Sequence, residues 1–181
     1  MELRSLLQRF IARPEFGPFI LLAGEITVFT LLSPAFLSPG NITNLLAFTP
    51  ELGMIALGMT VLMTSGEFDL SVGSVFGFTP VVMWTLYNTG AAPLELGFLI
   101  AISIAVIIGF INGWFVTKLK IPSFLVPLGM LLVIRGTALY ITDGFPQARW
   151  SSDSPLLKII VGEFTIGQIR VYASMVWFII F

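Results

Sequence analysis

Apolar residues run through this chain in long blocks, separated by short clusters of proline, glycine, serine and asparagine. A membrane-spanning helix needs about 20 mostly apolar residues at roughly 1.5 Å rise each. By that measure the first span runs from about Phe16 to Leu32, with Glu25 as its one interior charge. Ser33-Pro34 and Ser38-Pro39-Gly40-Asn41 then mark a loop. A second span runs from about Leu45 to Thr64, which puts Pro50 in its first turns, where proline is best tolerated. The third covers Ser71 to Tyr87 and is ended by Asn88-Thr89-Gly90 and Pro93. The fourth, Leu94 to Thr117, is the clearest, because no charge interrupts it between Glu95 and Lys118. A fifth starts after Pro122 and reaches about Thr142, carrying Arg135. Residues 143–170 read as a polar loop with one short apolar stretch, Leu156–Val161. The last run, Val171–Phe181, has eleven residues and is too short to cross a bilayer. The pattern predicts an all-α polytopic transmembrane helix bundle of about five full spans plus a truncated sixth, in one domain over residues 1–181. It also predicts that the chain is part of a longer protein.

Composition agrees with the pattern and removes alternatives. Apolar residues are 56% of the 181 and charged residues 10%, against roughly 25% charged in an ordinary soluble domain. Such a chain cannot cover its surface with ionised groups, so much of that surface must face lipid. Nine Lys and Arg against ten Asp and Glu leave a net charge of −1, with no basic excess to hold nucleic acid. Cysteine and histidine are both absent. That excludes disulfides, thiolate or imidazole metal sites, and Ser-His-Asp catalysis. No phosphate loop of the form G-x-x-x-x-G-K-[ST] is present, so ATP binding by that device is not expected in this chain. The arginines Arg4, Arg9 and Arg13 precede the first apolar run, but no small-residue cleavage site comes after it, which argues against a signal peptide.

Lys and Arg placement sets the expected orientation. A cytoplasmic N-terminus, residues 1–15, places Arg4, Arg9, Arg13, Lys118 and Lys120 inside. Arg149, Lys158 and Arg170 then fall in the long extracytoplasmic loop 143–170, and the two shorter external loops carry no basic residue. Inversion would put five basic residues outside in short segments.

Two segments concentrate polar chemistry near the membrane. The first is Ser65-Gly66-Glu67-Phe68-Asp69-Leu70-Ser71-Val72-Gly73-Ser74, joining the second and third spans. Its glycines permit a tight turn, and Asp69 is placed to cap the third helix or to sit in its first turn. Gly66, Glu67, Asp69, Ser71 and Gly73 are candidates for a structural or gating turn. The second segment is Asn112-Gly113 through Thr117-Lys118-Leu119-Lys120-Ile121-Pro122-Ser123-Phe124. Gly109 and Gly113 form a G-x-x-x-G pair suited to close helix packing, more within the chain than between copies. Asn112 is polar inside a span and should face protein or a cavity rather than lipid. Arg135 needs a partner or a route to the interface, and Glu25 and Glu51 pose the same demand. Asn112 and Thr60 are the candidate lining of a solute path.

The run Gly66-Glu67-Phe68-Asp69-Leu70-Ser71-Val72-Gly73-Ser74 resembles the pattern G-G-[IF]-D-L-S-V-G-S, found in the permease subunits of ribose- and xylose-type bacterial ABC sugar importers. The second segment, then Leu128-Gly129, Arg135-Gly136 and Ala138-Leu139, resembles the stretch downstream of that pattern in the same permeases. The resemblance runs in order from about Phe36 to Pro146. Glu67 stands in place of a second glycine, and Pro127 in place of a threonine. The resemblance implies a non-enzymatic, all-helical translocation subunit in the bacterial inner membrane. It implies cytoplasmic ATP-binding subunits, a periplasmic sugar-binding protein and a second permease copy as partners, with ATP held by the partner subunit and no cofactor or metal in this chain. The docking loop for the ATPase is expected beyond residue 181. Other readings of the same pattern are a permease for branched-chain amino acids, an ion-coupled carrier using Glu25, Glu51 or Arg135, and a membrane scaffold without flux.

Overall fold

The computed structural model describes residues 12–145 and 154–181. Arg4, Arg9 and Arg149, which enter the orientation argument, lie outside the described residues. Five long helices succeed one another: α1 (Phe16–Leu32), α2 (Pro39–Thr64), α3 (Val72–Asn88), α4 (Leu94–Leu119) and α5 (Leu125–Thr142). A short helix α6 (Pro155–Val161), strands β1 (Glu163–Ile166) and β2 (Ile169–Tyr172), and helix α7 (Ala173–Ile180) complete the order. Helices α2, α4 and α5 are long and apolar enough to cross a membrane. Helices α1 and α3 have 17 residues each, the lower end of what a spanning helix uses. The architecture is the all-α polytopic bundle that the hydropathy pattern predicts, and its outside is apolar. Phe110 is 71% exposed and Leu31 81%, side chains whose natural surroundings are lipid.

The second span begins earlier than its apolar run. Ser38 caps α2, its hydroxyl accepting from Asn41 N at 3.4 Å, and Asn41 Nδ2 donates to Phe36 O at 2.6 Å. Pro39 takes the first helical position, where its missing N–H costs nothing. Polar cap residues therefore lengthen the helix by six residues beyond the expected Leu45, and Pro50 lies deep inside it rather than in its first turns. Pro80 is likewise interior to α3. It cannot donate to the carbonyl of Phe76, and the neighbouring Thr79 hydroxyl points there instead at 3.4 Å.

Packing divides the bundle in two. Helix α3 lies against both α4 and α5, and each contributes one residue to the central apolar cluster: Phe78, Ile108 and Ile134. Gly97 of α4 permits the close approach to α3, since a Cβ there would lie 3.2 Å from the carbonyl oxygen of Met83. Helix α2 instead packs with α7 and β2, where Gly53 leaves room for the ring of Phe178. Helix α1 buries none of its residues.

Residues 163–172 correct the expectation of a polar loop. They form an antiparallel hairpin pairing Glu163 with Tyr172 and Ile166 with Ile169, turned by Gly167 at φ +63°. Arg170 Nη1 stands 3.9 Å from Glu163 Oε2, and Arg170 N donates to Thr43 Oγ1 at 3.2 Å, pinning the hairpin to the start of α2.

The Gly97 contact makes a direct prediction. Gly97→Leu brings side-chain atoms onto the Met83 backbone, which cannot yield as a flexible side chain can, and should cost about 1–3 kcal/mol. Thermal unfolding in detergent should show a lower midpoint. Gly58→Ala, whose added methyl meets nothing within 4 Å, should leave the midpoint unchanged or raise it. Equal midpoints for Gly97→Leu and wild type would show that α3 and α4 are not in tight contact.

Candidate functional site

Two turns meet at one end of the bundle: residues 65–71 between α2 and α3, and residues 120–124 between α4 and α5. The Phe68 N–H donates to Ser123 Oγ at 3.4 Å, joining them. Gly66 supplies the reversal at φ +81°, a conformation costly for residues with a Cβ. Asp69 then organises the approach to α3. Its Oδ1 accepts from Ser71 N at 2.7 Å and from Ser71 Oγ at 2.6 Å, an Asx turn. The expected cap is thereby corrected. Ser71 holds the N-cap position without a side-chain cap bond, and the Asp69 carboxylate acts on that residue rather than on free N–H groups of the helix. Ser71 already has helical backbone angles, so the chain must be turned before it.

Asn112 closes the arrangement from α4. It is 3% exposed, and Ser71 beside it is 1% exposed. Its Nδ2 donates to Ser71 Oγ at 3.0 Å and reaches Asp69 Oδ2 at 3.5 Å. The proton directions agree: Ser71 gives its proton to Asp69, so its oxygen is free to accept from the amide. Rotating the amide would set Asn112 Oδ1 against a carboxylate and against those lone pairs. As oriented, Oδ1 is buried with no hydrogen-bond partner among the described residues. Asn112 lies seven residues before the end of α4, about 10 Å along the axis, so the turn ahead of α3 is recessed into the bundle.

A cavity of about 240 Å³ opens beside this network, with Glu67, Asp69, Gly109, Asn112, Gly113 and Ser123 among its lining. The spacing of Gly109 and Gly113 predicts a close helix contact there, and the structure corrects this. Among the described residues, no atom of a neighbouring element lies within 4 Å of where their Cβ atoms would be, so they widen the cavity, and the close approach on α4 occurs at Gly97. Thr60 lies elsewhere. It is exposed and its hydroxyl donates to Ala56 O at 2.7 Å, the usual back-bond of a helical threonine. Gly73, inside α3, lines a second groove of about 400 Å³ together with Ser74, Gly77 and Arg135. The structure thus gathers Glu67, Asp69, Ser71 and Asn112, and separates Thr60 and Gly73 from them. Sequence reasoning misses the contact of Asn112 with Ser71 and Asp69, 41 and 43 residues apart. A lone asparagine in a span beside a recessed acidic turn is the signal that could suggest it.

Residues 41–181 match the family model described as branched-chain amino acid transport system / permease component. The chain belongs to that permease family. Among curated proteins, the xylose/arabinose import permease protein XylH of Sulfolobus acidocaldarius is 30% identical over 82% of this chain and 42% of its own length. The xylose transport system permease protein XylH of Escherichia coli is 35% identical over 70% of this chain and 33% of its own length. The ribose import permease protein RbsC of Bacillus subtilis is 36% identical over 73% of this chain and 41% of its own length. The chain therefore spans less than half the length of these relatives. No solved structure matches it significantly. As a member of this family with apolar helices, the chain is a multi-pass membrane protein.

The network predicts how the protein responds at Asn112. Asn112→Leu removes the donor to Ser71 Oγ and Asp69 Oδ2, leaving the buried Ser71 acceptor without it at about 1–3 kcal/mol, and should lower the unfolding midpoint in detergent. Asn112→Asp sets a second carboxylate against Asp69 and should be worse at neutral pH. Acidification should recover part of the loss, because one protonated carboxyl can donate to the other. A pH-independent loss in Asn112→Asp, equal to that in Asn112→Leu, would contradict the pairing.

Proposed function

We propose that this permease is the N-terminal portion of the membrane subunit of an ATP-driven importer that moves a monosaccharide, of the pentose or hexose class, across the bacterial inner membrane. The observation that carries this reading is the set of curated relatives, whose names are those of xylose, arabinose and ribose permeases. In such an importer two cytoplasmic ATP-binding subunits supply the energy, a periplasmic binding protein delivers the sugar, and a second permease copy completes the path. The chain itself carries out no covalent chemistry. Its N-terminus is cytoplasmic and residues 143–170 are extracytoplasmic. Lys118 and Lys120 then lie inside, and the contact of Phe68 with Ser123 supports placing the 65–71 turn on the same side as these lysines.

The Asp69–Ser71–Asn112 network fits a structural or gating role at the inner end better than a sugar site. Its donors are already spent on one another, and the Asn112 amide is buried. A second reading, transport of branched-chain amino acids, draws support from the description of the family model.

Uptake of radiolabelled xylose, ribose and leucine decides between them, in cells expressing the gene product with its neighbouring ATP-binding and solute-binding subunits. Pentose uptake should depend on the permease and fall to background when the phosphate-loop lysine of the ATPase is replaced. Permease-dependent uptake of leucine instead would favour the amino-acid reading. Pentose uptake that survives loss of the ATPase but collapses with the proton gradient would make the protein an ion-coupled carrier.

A further inference from the structure

Arg135 is the charge that the packed network does not use. It lies ten residues into α5, about 15 Å from the start of the helix and thus near the middle of a bilayer core of about 30 Å. Its side chain is exposed. Among the described residues the one ion pair is Arg170 with Glu163, so no carboxylate there neutralises Arg135. A guanidinium stays charged at any physiological pH, and facing lipid at this depth costs about 2.5–3.5 kcal/mol on insertion scales. Snorkelling offers little relief. The Cα–Cβ bond of a helical residue leans toward the helix N-terminus, which here is the more distant membrane face. The side chain therefore needs water or polar partners in the plane of the membrane.

The groove beside it supplies the space. It is walled by Gly73, Ser74 and Gly77 on α3 and by Leu131, Arg135 and Ala138 on α5, and encloses about 400 Å³. Among the described residues, no atom of a neighbouring element lies within 4 Å of where a Cβ on Gly73 or Gly77 would be, so the groove reaches the α3 backbone. Its volume is within the range of small-molecule sites, about 300–1,000 Å³. The chemistry is selective in kind. Arg135 offers up to five N–H donors and no acceptor. Ser74 directs its proton to Ser71 O at 3.1 Å, which leaves its oxygen lone pairs for a ligand. Among the described residues no acidic side chain lines the groove, so a cation would meet only the guanidinium charge.

We propose that Arg135 and Ser74 line the water-filled route through the membrane and hydrogen-bond the hydroxyls of the sugar as it passes. This rests on the reading of the permease as a sugar importer. Donors from a fixed cation and acceptors from a hydroxyl suit a neutral polyol, which carries both on each group. A few exchangeable bonds also let the solute leave again.

These 181 residues contain no cysteine, so a thiol introduced among them is read as the labelling that the variant shows above wild type. The probe is a charged, membrane-impermeant methanethiosulfonate applied to membranes holding the permease with its partner subunits. Ser74→Cys should react at least about tenfold faster than Val133→Cys, because a thiol in lipid does not ionise. Val133 is 64% exposed and lies two residues from Arg135, roughly on the opposite side of α5 at about 100° per residue. Saturating xylose or ribose should slow the labelling of Ser74→Cys at least about threefold by occupying its hydrogen-bonding site. Ala138→Cys, across the groove, provides a second probe with the same expectation. Labelling at the Val133→Cys rate at both positions would overturn the proposal, and the groove would then be filled by lipid or another helix. Fast labelling that is not altered by a sugar the same membranes are shown to take up would also overturn it, because the sugar would not pass there. Either failure combined with intact permease-dependent pentose uptake would leave the transport reading standing.

Discussion

The arrangement of this bundle depends on one buried amide. Helices in lipid gain little from hiding apolar surface from one another, because the tails around them are equally apolar. Something directional must set their register. Asn112 does so by donating from α4 to Ser71, whose proton is committed to Asp69. The three groups fix the depth at which α3 begins, about 10 Å inside the end of α4 by helix rise. A helix of 17 residues started from that recessed point brings Phe78 level with Ile108 and Ile134 and sets Gly73 and Ser74 beside Arg135. Slipping α3 by one turn would break the amide contacts and disperse both the cluster and the groove.

Backbone polarity imposes the second constraint. With no water available in hydrocarbon, each carbonyl that loses its helical donor needs another partner. The Thr79 hydroxyl serves Phe76 O beside Pro80, and Asn41 serves Phe36 O ahead of α2. Pro127 sits within the first turn of α5, where its missing N–H breaks no helical hydrogen bond. Polar side chains in these spans thus largely maintain the backbone. The same logic accounts for Thr60, whose hydroxyl is turned back to Ala56 O. Threonine in a membrane helix satisfies itself locally at little cost, so its presence alone does not mark a solute path.

Hydropathy makes the five long helices legible, because each apolar block is long and bounded by loop formers. It fails where other physics governs. The start of α2 is set by Ser38 and Asn41 capping, and no window of apolar residues registers a cap. The hairpin at 163–172 is hidden inside a segment judged by its polarity, although Phe164 and Ile166 alternate with polar residues ahead of Gly167-Gln168, a recognisable two-residue turn. Gly109 and Gly113 satisfy the spacing for helix packing, yet they open onto a cavity. Spacing states which positions share a face and leaves open which neighbour occupies it. Asn112 is identifiable from sequence as facing inward, while its partners lie more than 40 residues away and need the fold to be found.

The two polar places in this bundle differ in how far their donors are committed, and that difference supports the roles proposed for them. Around Asn112 the donors are committed within the protein, and Asn112 and Ser71 are almost fully buried. A group so engaged can hold a register, or release it when helices move, but offers a passing solute little. Arg135 faces an open groove, at a depth where lipid is an unfavourable neighbour. Transport requires a solute to be held strongly enough to enter and weakly enough to leave. A guanidinium hydrogen-bonding neutral hydroxyls through water meets that requirement better than a network whose donors are already committed. In this fold the Asp69–Ser71–Asn112 network sets the helices, and their register in turn places Gly73 and Ser74 beside Arg135.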